Sequence, residues 1–199
     1  VRSRGLGDVY KRQFVKNGFK ESPDTAVHIL LDSSGSMTDS GLMFANAVCY
    51  AVGKALQGIP GANRAKRGAT VAPVLRHGEK LTARFPEIAY GMTPMAESLW
   101  WVMQQMCLLR ENRKIILIIT DGEPDSIPAA QEAFKQAQKK GFECYGLGIM
   151  CSSIATLLPH TSRVIERLPQ LAPALFGLLE GALRRNAWRI PADCADWGF

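Results

Sequence analysis

Apolar residues along this chain come in two patterns. In the first they run without interruption: "AVHILLD" (26–32), "KIILIIT" (114–120) and "ECYGLGIM" (143–150). Runs of this length without polar alternation predict strands covered on both faces. In the second, apolar residues recur every three to four positions. Ala45, Val48, Cys49, Val52, Ala55 and Leu56 predict a deeply buried helix over 42–57, stopped by Gly58, Pro60 and Gly61. Met95, Ala96, Leu99, Trp100, Met103, Met106 and Cys107 form one face of a helix over 93–110, with Pro94 in its first turn. An amphipathic helix over 128–141 closes on Gly141, and Leu171, Leu175, Leu178, Leu179, Ala182 and Leu183 make a last one, beginning near Pro173. Val164 and Ile165 fit a short edge strand.

Strand and helix therefore alternate, which predicts an α/β fold: a doubly wound, mostly parallel sheet flanked by helices. The expected domain spans 26–185, after a linker over 14–25 and before a tail over 186–199 without periodicity. A sheet of this kind needs two more strands within 58–92. There "ATVAPVL" (69–75) qualifies, whereas "NRAKRG" (63–68) is too polar for a central strand and is expected at an edge or in a surface loop.

Composition narrows the class. Of 199 residues 47% are hydrophobic and 21% charged, ordinary for a soluble globular domain. No segment reaches the ~20 consecutive apolar residues that span a bilayer, so no membrane span is expected. The opening "VRSRGLGDVYKRQ" (1–13) is unlike the rest of the chain and is expected to be a non-native leader; with Val1 in first place, the chain is expected to be a piece of something longer. Arg2, Arg4, Lys11 and Arg12 against Asp8 supply +3 of the formal +6, which leaves +3 for the remainder. That is too little to argue for nucleic acid. Five cysteines, odd in number and without a C-x-x-C pair, read as reduced structural thiols of a cytoplasmic protein.

The chemistry is concentrated in three places. Asp32, Ser34 and Ser36 form D-x-S-x-S after the first strand, Thr93 precedes Pro94, and Asp121 follows the second buried strand in "TDGEPD". The carboxyl edge of an open α/β sheet is where ligands bind. Carboxylates with hydroxyls are hard oxygen donors suited to Mg²⁺, or Mn²⁺, and one loop alone offers too few of them for an octahedral ion.

This ordered set resembles the metal-ion-dependent adhesion site of the von Willebrand factor A domain, over about Ala26 to Leu183. The resemblance implies a Rossmann-like fold and a cation on Asp32, Ser34, Ser36, Thr93 and Asp121. If the two serines and the threonine bind directly, these neutral ligands leave the ion electrophilic, and an acidic residue of a protein partner fills its open position. "TPMAESLWW", "ITDGEPD", "GLGI" and "RLPQLAPALFGLL" look most like the carboxyl-terminal domain of CobT-type cobalt chelatase subunits. That similarity implies a non-catalytic subunit that works with an AAA+ ATPase, in a chelatase complex of cobalamin synthesis. The chain contains no G-x-x-x-x-G-K-[ST], so nucleotide hydrolysis is expected to lie elsewhere.

Other residues carry weaker signals. Glu123 and Asp125 stand at the rim of the expected site, although Asp125 and Ser126 equally suit a helix cap. Trp101 and Leu108, opposite the apolar face of their helix, form a candidate partner patch. His28 reads as a core residue, and His77 and His160 belong to no set. The rival reading is a Mg²⁺-dependent phosphatase or phosphotransferase with Asp32 as nucleophile. Such chemistry usually wants a second carboxylate two residues on, where this chain has Ser34.

Overall fold

The computed structural model describes residues 25–55, 62–65, 71–75 and 91–184. The expected leader, most of the linker, the tail, His77 and Cys194 lie outside the described residues. In chain order the elements are β1 (Thr25–Leu31), α1 (Asp39–Ala55), β2 (Ala62–Ala65), β3 (Val71–Leu75), α2 (Met95–Cys107), β4 (Arg113–Thr120), α3 (Ile127–Lys139), β5 (Glu143–Ile149), α4 (Ser153–Leu157), β6 (Ser162–Ile165) and α5 (Leu171–Arg184).

The six strands form one sheet in the order β3-β2-β1-β4-β5-β6. Every neighbouring pair is parallel except β2 with β3. β1 and β4 are central, and their uninterrupted apolar character has a direct cause, because alternate residues enter two separate cores. Val27, Ile29 and Leu31 of β1 join Ile115, Leu117 and Ile119 of β4 beneath α1 and α5. Ala26 and Leu30 join Ile116 and Ile118 on the other face, beneath α2, α3 and α4. Each such fully buried aliphatic side chain contributes roughly 1.5–3 kcal/mol. Burial also pushes the thiols of Cys49 and Cys144 up to about 12, so both behave as apolar packing groups at neutral pH. No disulfide joins the cysteines among the described residues.

One expectation is corrected, and one element is new. The polar stretch around 63–68 is neither edge nor loop where it is described, because Ala62–Ala65 is an interior strand. The antiparallel β3 takes the edge beside it and supplies the second row of hydrogen bonds. The short helix α4 was not foreseen, since five residues are too few to show a helical period. It is licensed by the glycines of β5. A Cβ on Gly146 would run into Ile154, and one on Gly148 into Ile154 and the Cys151 carbonyl.

The chain proceeds from β1 to one side of the sheet and from β4 to the other. The reversal point therefore falls between these two strands, and a crevice at their carboxyl ends is the expected ligand position.

Candidate metal centre

Asp32 sits where the β1–β4 ladder ends, its backbone N–H donating to the Ile119 carbonyl at 2.8 Å. Its carboxylate is held at both oxygens. The Ser34 amide donates to Oδ1 at 2.8 Å, and the Thr120 hydroxyl donates to Oδ2 at 2.7 Å. The first bond closes the tight turn that carries the serines forward.

Two further segments are drawn in by backbone bonds. Gly35 donates to the Gly91 carbonyl at 3.1 Å, and Gly91 adopts a left-handed φ of 92° that suits glycine. Thr93 and Asp125 clasp each other: the Thr93 amide donates to Asp125 Oδ1 at 2.8 Å, and the Asp125 amide donates to the Thr93 carbonyl at 3.0 Å. Pro94, expected inside the first turn of α2, is instead its N-cap. Ser126 caps α3 by accepting from the Ala129 amide at 3.3 Å. The capping alternative thus applies to Ser126, while Asp125 fastens the threonine loop to the aspartate loop.

The hydroxyls converge. Ser36 Oγ donates to Asp121 Oδ1 at 2.7 Å and lies 2.8 Å from Ser34 Oγ. A Cβ built on Gly122 would stand 3.0 Å from Thr93 Oγ1, 3.1 Å from Ser36 Oγ and 3.6 Å from Ser34 Oγ. One methyl-sized point beside Gly122 is therefore enclosed by hydroxyls from two loops separated by more than fifty residues, with Asp121 adjoining. Gly122 is itself pinned, its amide donating to Thr120 Oγ1 at 3.1 Å and its carbonyl accepting from the Cys151 thiol at 3.3 Å.

The electrostatics match a site that wants a cation. Burial pushes the Asp121 carboxyl above its ordinary range, the charge of Asp32 adds to the rise, and the hydrogen bond from Ser36 opposes it. Among the described residues no three His, Cys, Asp or Glu side chains gather as a metal-holding group, so any ion here depends on hydroxyl oxygens. Three hydroxyls around a cradle that a single Cβ would fill, with the Asp121 carboxylate bonded to one of them, fit a small hard cation such as Mg²⁺ or Mn²⁺.

Ser34, Ser36, Thr93 and Asp121 are thus brought together from three segments, and Asp32 adjoins them through the Ser34 amide and Thr120. Glu123 is exposed beside them. Trp101 and Leu108 are not part of the centre. Trp101 is half-buried against the core under α2, and Leu108, 80% exposed, is the C-cap of that helix, at the end remote from Thr93. His28 is buried within β1. The sequence reading missed Thr120, visible in "IITDG" as the hydroxyl before the acid, and Cys151. Nothing in the sequence announces that Cys151 reaches Gly122, because the contact depends on the β4–β5 register.

No family model and no curated protein matches the chain. Solved structures do. Proximal thread matrix protein 1 from the mussel byssus superposes with a TM-score of 0.66 at 10% identity, covering 80% of this chain; the chain spans 46% of that protein. Manganese-loaded TRAP protein of Plasmodium vivax gives 0.64 at 13% identity, covering 79% of this chain and 74% of that one. The vWF domain of the type V pili tip protein Mfa5 from Porphyromonas gingivalis gives 0.58 at 10%, covering 82% and 97%. At these identities the likeness is one of fold, and the fold is that of the von Willebrand factor A domain.

Proposed function

We propose that this domain is a non-catalytic interaction module that binds Mg²⁺, or Mn²⁺, and through it a carboxylate of a protein partner. The observation that carries the proposal is the enclosure of one point beside Gly122 by the hydroxyls of Ser34, Ser36 and Thr93. Asp32 and Asp121 would balance the ion's charge, directly or through water. Because the three hydroxyls are neutral, a bound ion would retain its attraction for an external anion, the chemistry it supplies here. That one solved structure of this fold is described as manganese-loaded is in keeping with the reading.

The finer setting rests on the sequence resemblance to CobT-type chelatase subunits. In that setting the domain works in the cytoplasm beside a separate AAA+ ATPase, and the complex inserts cobalt in cobalamin synthesis. Among the described residues no helix is long and apolar enough to cross a membrane. Nucleic acid is not a proposed partner.

Calorimetric titration of Mg²⁺ and Mn²⁺ into the protein tests the site. Ser34→Ala with Ser36→Ala removes two donors and is expected to weaken binding by more than the ~10–100-fold typical of losing an outer-shell partner. Undiminished affinity in the folded double variant refutes the assignment.

A further inference from the structure

Nine large apolar side chains are exposed among the described residues, and three of them adjoin along the chain the segments that build the proposed metal centre. Met92 is 74% exposed and lies between Gly91, which accepts from Gly35, and Thr93, which is clasped to Asp125. Met150 is 75% exposed, has a left-handed φ of 55°, and precedes Cys151, whose thiol touches Gly122. Ile127 is 43% exposed, two residues beyond Asp125. Their neighbours on the chain are the residues that build the cradle. Exposed methionines are costly to leave in water and adapt to varied apolar surfaces, so clustering at one site marks an interface.

Charge narrows the partner. The segments 32–43, 91–95, 120–127 and 150–153 contain Asp32, Asp39, Asp121, Glu123 and Asp125 but no lysine, arginine or histidine. A divalent ion cancels only part of this negative charge. The centre can therefore take one carboxylate at the ion, while a second or third anion beside it meets the acids of these four described segments, which carry no cation of their own to offset them.

We infer that the partner segment presents a single carboxylate flanked by bulky apolar side chains, which pack on Met92 and Met150, and that polyanionic segments are rejected. This rests on the proposed metal site and adds the partner's chemical character to it.

Synthetic peptides test the inference: one aspartate between two leucines, one between two serines, and a run of four aspartates, each immobilised and probed with the folded protein in Mg²⁺ or in chelator. The leucine-flanked peptide is expected to bind at least tenfold more tightly than the serine-flanked one in Mg²⁺, with the tetra-aspartate no tighter than the latter. In Met92→Ser/Met150→Ser the leucine advantage is expected to vanish while Mg²⁺ still raises the melting temperature as in wild type. Equal binding of all peptides, tightest binding of the tetra-aspartate, or no Mg²⁺-dependent binding of the leucine-flanked peptide overturns the inference. If any of these occurs with a normal Mg²⁺ thermal shift, only the partner character fails; if the thermal shift is missing too, the metal reading fails with it.

Discussion

Gly122→Ala is the sharpest perturbation of the proposed metal centre, because it adds one carbon and removes no donor. Gly122 does not have a left-handed φ, unlike Gly91 and Gly141, so alanine fits its backbone without strain. The new methyl would meet Thr93 Oγ1 at 3.0 Å, Ser36 Oγ at 3.1 Å and Ser34 Oγ at 3.6 Å. The two nearest hydroxyls must retreat by a few tenths of an ångström, and the point they enclose is filled. In the metal-free protein the cost is small. Crowding of two rotatable hydroxyls is set against the ~0.4–1 kcal/mol that alanine contributes by restricting the unfolded chain. The metal-bound comparison is large. At a hundredfold excess over its dissociation constant an ion that binds only the folded state adds ~2.7 kcal/mol. For a domain of this size that corresponds to roughly 5–10 °C in melting temperature. Thermal unfolding by circular dichroism, with Mg²⁺ and with chelator, should show this shift in wild type and none in Gly122→Ala, the two proteins melting close together in chelator. A Gly122→Ala protein that keeps the full shift would show that the cation, if bound, does not use the space beside Gly122, and the five-ligand assignment would fall.

Two further variants separate charge from architecture. Because the folded-state pKa of Asp121 is raised, the folded chain holds that proton more tightly than the unfolded chain; stability therefore falls as pH rises through the raised pKa. Asp121→Asn is accordingly expected to unfold at higher urea than wild type at pH 7 in chelator and to lose the Mg²⁺ response; a less stable variant, or one that keeps the response, contradicts the account. At the opposite edge, Arg113 forms a bidentate pair with Glu143, with Nη2–Oε2 at 2.7 Å, and also donates to the Ala182 carbonyl, linking β4, β5 and α5. The Glu143 hydrogen bond is the main cause that raises the Arg113 pKa. Glu143 is partly exposed, so Arg113→Ala is expected near the lower end of the ~3–5 kcal/mol that breaking a buried pair costs, read as a fall in urea midpoint with the Mg²⁺ thermal shift intact.

What could be read from the sequence divides by range of interaction. β1, β4 and β5 were visible because a strand buried on both faces leaves an unbroken apolar run, a local property. The five candidate ligands were visible because D-x-S-x-S, T-P and T-D-G each close a strand or open a helix, and those punctuation points share one edge of a parallel sheet. β2 was illegible. Its residues Ala62–Ala65 take an interior place through backbone pairing with β1 and β3, and backbone hydrogen bonds leave no trace in side-chain hydropathy. Asp125 was ambiguous for a related reason. An acid before a helix caps it or bonds across a loop with equal ease, and only the approach of Thr93 decides.

The same distinction explains why the centre is built from hydroxyls. Asp32 and Asp121 already repel each other, and Asp121 is partly withdrawn from water. Carboxylates in place of Ser34, Ser36 and Thr93 would set further like charges against them in the metal-free protein, at a cost in stability, and would satisfy the cation so fully that no partner anion could compete. Hydroxyls avoid both outcomes. Without the ion the two serine hydroxyls bond to each other, and Ser36 bonds to Asp121. With it, their oxygens would turn inward, and the residual positive charge would face the exposed rim on which Met92 and Met150 lie. On the proposed reading, stability of the metal-free domain and the appetite of a metal-bound one for a single external carboxylate would follow from the same three neutral side chains, and Ser36→Asp should trade the second for a tighter, partner-blind ion.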